Sequence, residues 1–336
     1  MAQLHDQRKA LEWWKRIGRC TVSCITVLLS QYALSLIPRF FSASPFLIQL
    51  TLSGLVLLVV VGLGGRGRRL LGVFGSAPAF VFFNILFIWA VYFAVLRPAV
   101  SCVMDIAFNG EVTMLIIGLC SILSSNPGFV TYGSSDDLVE SSVAEVEAQN
   151  QDSVLGRRVR YCRICKAYIK GFDHHCPAFG NCIGQNNLVL FVVLLVGFLT
   201  TEASYIVCSS QYAAKSQIID RTRLETSLSG NLAISTMLFS IFQLLWQVVF
   251  MTWHIYCICF NIRTDEWINW KKYPEFQDVQ SQPGQSFNKM RFQNPYDKGI
   301  LQNVKEFLGF LILKKSRMCK PCLVVWLLCI ALNGIF

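Results

Sequence analysis

The 336-residue sequence has little charge and little histidine. Charged residues make up 15% of the chain and hydrophobic residues 54%, and there are four histidines. Water-soluble domains usually carry about a quarter charged residues. The composition therefore argues against an ordinary soluble protein and indicates a membrane protein. Because histidine is so scarce, the adjacent pair at 174 and 175 is a candidate for chemistry.

The chain contains six apolar runs that approach the length a helix needs to cross a bilayer. They lie at 20–37, 46–63, 79–96, 112–124, 188–208 and 231–252, and the fourth is short and needs residues from 106 onward to span a bilayer. Since lipid offers no partner for unpaired backbone groups, the runs are predicted to be helices. The first run is too long for a cleavable signal peptide and has no clear small-residue cleavage site. The predicted fold is an all-α polytopic membrane protein with six transmembrane helices and a small cysteine-rich cytosolic insert.

The net charge of +10 follows the predicted membrane topology. Basic residues gather in four segments, at 9–19, 66–69, 157–170 and 271–315. The positive-inside rule places both termini and the cysteine-rich insert in the cytosol. The loop 209–230 carries three basic residues and fits this assignment least well. A basic chain can bind nucleic acid, but this distribution predicts the lipid bilayer as a partner and no nucleic acid.

The predicted organisation has five parts. They are a cytosolic N-terminus (1–19), four transmembrane helices (20–124), the cytosolic insert (125–187), two transmembrane helices (188–260) and a cytosolic tail (261–336). Within the insert, residues 133–153 are acidic and polar, which is typical of a flexible linker. The end of the tail, 319–336, is apolar but too short for a straight span. It is predicted to be a re-entrant or surface helix.

Cysteine and histidine cluster within the insert and predict a metal site. The sequence reads Tyr161-Cys162-Arg163-Ile164-Cys165, then Asp173-His174-His175-Cys176-Pro177, then Asn181-Cys182. Because the cytosol is reducing, close cysteines there indicate metal binding or catalysis rather than disulfides. A tetrahedral Zn²⁺ site needs four ligands, which Cys162, Cys165, His175 and Cys182 would supply. A turn at 171–172 would bring the second half back onto the first.

If those four residues bind metal, Asp173, His174 and Cys176 remain. They have the residue types of a nucleophile set in which His174 takes the thiol proton of Cys176 and Asp173 orients the imidazole. Adjacent residues do not converge on an extended strand, so we expect a metal-pinned loop to bring them together. The alternative is that all these residues are zinc ligands and the insert is only structural. The residues alone leave both interpretations open.

The Asp-His-His-Cys tetrad in a cysteine-rich insert, with transmembrane helices on either side, resembles the DHHC-type protein S-acyltransferases, or palmitoyltransferases. The resemblance extends from about Asn126 to Phe307, roughly half of the chain. Further matching positions are Cys182, Gly184, Asn187, Phe191, Asn126-Pro127-Gly128 (usually Asp-Pro-Gly), Thr264-Asp265-Glu266 (within the family's Thr-Thr-x-Glu element), Asn294-Pro295-Tyr296 and Asn303. Asn187, Thr264, Glu266 and Asn303 are expected to be structural hydrogen-bonding residues.

The resemblance implies an enzyme that works in two steps. Cys176 takes a long-chain acyl group, palmitoyl in the family's usual case, from acyl-CoA and forms an acyl-enzyme thioester. The acyl group then passes to a cysteine of a membrane-associated protein substrate on the cytosolic side. The implied location is an endomembrane, Golgi or ER, or the plasma membrane. The rival functions are a catalytically inactive zinc-binding scaffold and a transporter, and the spans lack the paired charges that a transporter would favour.

Some positions depart from the family's pattern. The family usually carries two zinc sites, but Tyr161 and Tyr168 stand where the first site's histidine and cysteine would be. One zinc is therefore expected. Ala178 and Phe179 replace the tryptophan that usually follows Cys-Pro. His254 is expected at the end of the last span without a catalytic role.

Overall fold

The structure, a computed structural model, describes residues 2–71, 74–130, 158–219, 227–280 and 289–313. The helices of this part are α1 (Ala2–Phe40), α2 (Phe46–Leu71), α3 (Ala77–Val91), α4 (Cys102–Ser124), α5 (Leu188–Ile219), α6 (Leu228–Cys259), α7 (Thr264–Asn269) and α8 (Ile300–Leu313). The strands are β1 (Val159–Cys162), β2 (Ala167–Lys170), β3 (His174–Cys176), β4 (Asn181–Ile183), β5 (Gln277–Gln280) and β6 (Lys289–Phe292). Consecutive strands pair as three antiparallel hairpins. The acidic segment 133–153 and the apolar segment 319–336 lie outside the described residues.

Six helices are long and apolar enough to cross a membrane, which confirms the predicted number. The candidate spans are Leu11–Phe40, Phe46–Gly64, Ala77–Ala99, Cys102–Ser124, Leu188–Ser216 and Leu228–Cys259. The third span outlasts α3 because Tyr92–Leu96 continue as a π-helical turn and Arg97–Ala99 as a 3₁₀ turn. The spans are longer than the predicted apolar runs, because polar side chains near their ends are hydrogen-bonded to other residues. Asp105, for example, accepts a hydrogen bond of 2.8 Å from the Tyr92 hydroxyl.

The chain divides into two compact units. The first contains α1 to α3 and most of the length of α4, α5 and α6. Its core is aromatic and aliphatic, and Tyr92, Phe108 and Tyr205 are fully buried in it. The rings of Tyr92 and Phe108 lie 4.4 Å apart between centroids. The two rings thus join the end of α3 to α4, as expected where close packing rather than water exclusion holds transmembrane helices together.

The second unit contains residues 120–195 and 250–321, and every predicted site residue lies in it. The insert of this unit is built from hairpins, with β1 paired to β2 and β3 paired to β4. Gly171 has a φ of 59°, a left-handed conformation that suits glycine, and it makes the turn predicted between the two hairpins. The small core beneath them contains Ile169 and Phe172 beside two of the cysteines.

Candidate active site and metal centre

The first hairpin presents two cysteines at its tip. Cys162 ends β1, and a four-residue turn that includes Cys165 leads into β2. The backbone N–H of Cys165 points at the Cys162 sulfur over 3.4 Å. Lys166 closes the turn with a φ of 51°. Both sulfurs consequently face the same point, as two ligands of one metal ion must.

In the second hairpin, the side chains of strand β3 point to two opposite faces. Cross-strand neighbours pair His175 with Cys182 and Cys176 with Asn181. Side chains alternate along a strand, so His175 points to one face while His174 and Cys176 point to the other. The expectation of a metal-pinned loop is wrong, because the tetrad enters an extended strand. It is the alternation of that strand that assigns adjacent residues to different tasks.

The four predicted metal ligands come together. The ligand atoms of Cys162, Cys165, His175 and Cys182 all lie within 4.8 Å of one another. His175 Nδ1 is 3.4 Å from the sulfurs of Cys165 and Cys182 and 3.9 Å from the sulfur of Cys162. The sulfurs of Cys165 and Cys182 lie 3.4 Å from each other. Tetrahedral Zn²⁺ with ordinary bond lengths separates its ligand atoms by roughly 3.5–3.8 Å. The chemistry and spacing of this donor set therefore fit one zinc ion.

The opposite face carries the predicted nucleophile set. His174 Nδ1 lies 2.7 Å from Asp173 Oδ2, and Cys176 is buried, with 6% of its surface exposed. Burial disfavours the charged imidazole of His174, but hydrogen bonds with Asp173 and Cys176 outweigh it and raise its pKa to about 9. Burial likewise opposes the charge of Asp173, yet the hydrogen bond and charge of His174 lower its pKa to about 2. The arrangement places an ionised carboxylate, a histidine whose raised pKa favours the protonated form, and the Cys176 sulfur next to one another.

Asp173 is fixed from a second side by the start of α7. Its Oδ1 accepts the backbone N–H of Thr264 at 3.1 Å, and its backbone carbonyl accepts the N–H of Asp265 at 2.9 Å. The Thr264 hydroxyl in turn accepts the indole N–H of Trp253 at 3.3 Å. The carboxylate is almost fully buried, with 1% exposed, so these bonds decide its orientation. The element resembling Thr-Thr-x-Glu therefore contacts the tetrad directly.

The other predicted support residues make several hydrogen bonds each. Asn187 accepts from the Gly184 N–H at 2.9 Å and donates to the Cys182 carbonyl at 2.9 Å, which ties β4 to the start of α5. Asn303 donates to the Cys259 carbonyl at 2.8 Å and so joins α8 to the end of α6. Glu266 accepts the Arg263 N–H at 2.9 Å and caps α7.

Sequence reasoning missed two residues of this framework. Arg158 reaches from the start of the insert to the α6–α7 junction, where it contacts Glu266 and Asn261. Asn181 donates to the Ile122 and Ser125 carbonyls, both at 2.9 Å, and thereby fastens β4 to the end of α4. Neither has a local sequence signal, because their partners are 56 or more residues away.

Comparison with known proteins finds a family that this segment resembles. Residues 149–271, which contain both hairpins, match the family model described as DHHC palmitoyltransferase. The match covers less than half of the chain, and over that range the chain is similar to the DHHC family. The resemblance predicted from the tetrad is thus confirmed, as is a mostly helical chain with a cysteine and histidine cluster that could bind a metal. The individual roles of the site residues stay predictions.

Several curated proteins are similar to the chain. Palmitoyltransferase ZDHHC17 of Mus musculus is 26% identical over 50% of this chain and 26% of its own length. Probable protein S-acyltransferase 15 of Arabidopsis thaliana is 24% identical over 68% of this chain and 89% of its own length. Palmitoyltransferase ZDHHC3 of Rattus norvegicus is 30% identical over 31% of this chain and 38% of its own length. The chain thus spans about a quarter of the length of the mouse relative.

Proposed function

We propose that this protein is an integral-membrane protein S-acyltransferase that moves a long-chain acyl group, palmitoyl by analogy with its relatives, from acyl-CoA to protein cysteines. Cys176 is the proposed nucleophile, His174 its base and Asp173 the residue that orients the base. The observation that carries the proposal is the position of Cys176. It shares a strand face with His174 and lies outside the group of four metal ligands.

The proposed chemistry has two steps. Cys176 gives its proton to His174, and the thiolate sulfur forms a bond to the thioester carbon of acyl-CoA. The bond from that carbon to the CoA sulfur then breaks, and the CoA thiolate leaves with the proton from His174. In the second step a substrate cysteine gives its proton to His174 and takes the acyl group, and the returning Cys176 thiolate recovers that proton. Asp173 keeps His174 in one orientation throughout.

Zn²⁺ would be held by Cys162, Cys165, His175 and Cys182, and its contribution would be to fix the two hairpins. It takes no part in the proposed steps, because His174 and Cys176 occupy the face of β3 opposite to His175.

An acyl chain gains about 0.8 kcal/mol for each buried CH₂ and prefers apolar surroundings. The phosphates of CoA prefer water and basic residues. We propose that the insert and both termini face the cytosol, where acyl-CoA and protein cysteines would be met.

The proposal is tested by acyl-enzyme formation. The full chain, purified in detergent, is given an alkyne-tagged palmitoyl-CoA, and the attached label is measured before and after hydroxylamine, which cleaves thioesters. We expect a hydroxylamine-sensitive label that Cys176→Ser removes. The matched control is Cys102→Ser, because Cys102 is an exposed free cysteine outside the insert and should not be needed.

The labelling result separates the enzyme from an inactive zinc-binding scaffold. A scaffold would bind zinc without forming a thioester at Cys176. If Cys176→Ser labels as strongly as the unmodified protein, then the proposed nucleophile is wrong. A purified substrate peptide with one cysteine, added after the label has formed, tests the second step by taking up the label.

A further inference from the structure

One buried histidine near the tetrad has no role in the chemistry described so far. His254 lies near the end of α6, and 2% of its surface is exposed. Its Nε2 atom has no hydrogen-bond partner within the part of the chain that the structure describes. A polar atom that is buried without a partner destabilises the folded protein. The position thus carries a cost that a purely apolar side chain would avoid.

Aromatic rings surround His254, and they include the ring of His174 in the candidate site. Its ring lies 5.9 Å from the His174 ring, between centroids, with the planes inclined by 35°. Phe191 meets both histidines edge to face, at 5.3 Å from His174 and 4.9 Å from His254. Phe250 also packs edge to face against His254, at 4.7 Å between centroids. The unpartnered nitrogen is therefore on the ring that neighbours the proposed base.

Packing alone does not account for this residue. A phenylalanine at 254 would keep the edge-to-face contacts with Phe191 and Phe250 without burying an unpaired nitrogen. Buried polar groups in proteins are normally hydrogen-bonded, and an exception calls for an explanation. A partner that arrives only with the substrate is one such explanation, and the thioester develops a negative oxygen in the proposed reaction.

We propose that His254 is a further catalytic residue, whose Nε2–H donates a hydrogen bond to the thioester carbonyl oxygen while Cys176 attacks the carbon. As the carbon–sulfur bond forms, the carbonyl electrons move onto that oxygen, and His254 stabilises the charge. His254 keeps its proton, and the carbonyl re-forms when the CoA thiolate leaves. This inference rests on the proposed function and adds a residue to it.

Two substitutions distinguish the hydrogen-bonding contribution of the His254 Nε2 atom from the packing contribution of the ring. His254→Phe retains the ring and removes the nitrogen, whereas His254→Gln loses the ring but places an amide N–H near the Nε2 position. We expect His254→Phe to lower the maximum rate of acyl-enzyme formation by about 10²-fold, the usual effect of losing such a donor. The acyl-CoA concentration for half-maximal rate should change much less. His254→Gln should recover part of the rate.

A role in packing predicts the opposite order, with His254→Phe faster than His254→Gln. That order, or a rate for His254→Phe equal to that of the unmodified protein, would overturn the inference. If His254→Phe does not fold, His254→Asn replaces it, because its amide lies near Nδ1 and should not rescue the rate as His254→Gln does. Ile255→Leu, at an exposed position of the same helix, controls for a substitution in α6 and should keep the rate of the unmodified protein. Labelling that survives Cys176→Ser would instead refute the proposed function, whatever the order at 254.

Discussion

Arg158 provides the sharpest stability prediction, because its guanidinium is almost fully enclosed by partners. Its Nε lies 2.9 Å from Glu266 Oε1, and its Nη2 donates to Glu266 Oε2 at 3.0 Å. Asn261 accepts two more hydrogen bonds, at 2.9 Å on its side chain and 2.6 Å on its backbone. The Tyr296 ring covers the remaining face at 3.8 Å. Removal of Arg158 therefore affects three separate segments of the second unit.

The expected cost follows from what the change leaves behind. The Glu266 side chain is 2% exposed, so Arg158→Met would leave a buried carboxylate without its cation. Burial already raises the pKa of Glu266, against the opposing charge of Arg158. Breaking a buried pair by removing one partner costs about 3–5 kcal/mol. The lost cation–π contact with Tyr296 adds about 0.5–2 kcal/mol to that cost.

The assay is a double-mutant cycle on the free energy of unfolding. Unfolding is measured by the rate at which the buried cysteines react with a thiol-specific dye. Arg158→Met, Glu266→Gln and the double variant are compared with the unmodified protein in the same detergent. The double variant should cost less than the two single changes together, because it leaves no unpaired charge. Glu306→Gln is the control, since the Lys298–Glu306 pair is largely exposed and should contribute less than about 1 kcal/mol. Strict additivity, or a loss from Arg158→Met as small as the control's, would refute the reasoning.

Two further predictions concern the site itself. Asp173→Asn should lower the rate of acyl-enzyme formation by about 10²-fold or more, because the amide cannot hold the protonated His174 as a carboxylate does; an unchanged labelling rate would contradict this. Gly184→Ala should destabilise the protein by about 1–3 kcal/mol, because its Cβ would come within 2.5 Å of the Pro127 carbonyl oxygen. Gly309→Ala meets nothing within 4 Å and serves as the thermal-unfolding control. Equal shifts for the two alanine variants would count against the packing argument.

The membrane helices were predictable because lipid imposes a simple rule of length and polarity. The residues at which the spans begin and end were less predictable. The predicted third run stops at residue 96, whereas the span continues to Ala99, because the π-helical turn and the Arg97–Ala99 turn extend the helix. Such ends depend on tertiary partners, as in the bond between Tyr92 and Asp105, which the local sequence does not reveal.

The ligand types of the metal centre were also predictable, since cysteine and histidine have few other uses in such close spacing. Which side chains of the tetrad face the metal ligands and which face away could not be predicted from the sequence. It depends on β3 pairing with β4 in the register that sets His175 beside Cys182, and a shift of one residue would exchange the two faces. That register is supported by Asn181, which donates to the Ile122 carbonyl near the end of α4, and by Asn187, which donates to the Ser125 hydroxyl just after α4 and to the Cys182 carbonyl of β4. Long-range bonds of this kind have no signature in a single sequence.

Tyr161 and Tyr168, which are predicted to stand where the family's first zinc ligands would be, contact each other in the structure. Tyr161 and Tyr168 are directly opposite each other in the β1–β2 hairpin, and their rings lie 5.1 Å apart between centroids. A cross-strand aromatic pair contributes about 0.5–1.5 kcal/mol beyond the area it buries. The pair thus supports the β1–β2 hairpin.

The predicted single zinc site leads to a prediction about metal content. Across the described ranges, Cys162, Cys165, His175 and Cys182 are the one group of three or more potential ligands with its atoms close together. We expect the purified protein to contain one zinc per chain and His175→Ala to lose most of it. Tyr161→Phe is the matched control, because it keeps the ring pair and should keep the zinc. Elemental analysis that finds two zinc ions per chain would show that the tyrosine pair has not replaced a site, while zero would remove the support proposed for the tetrad's strand.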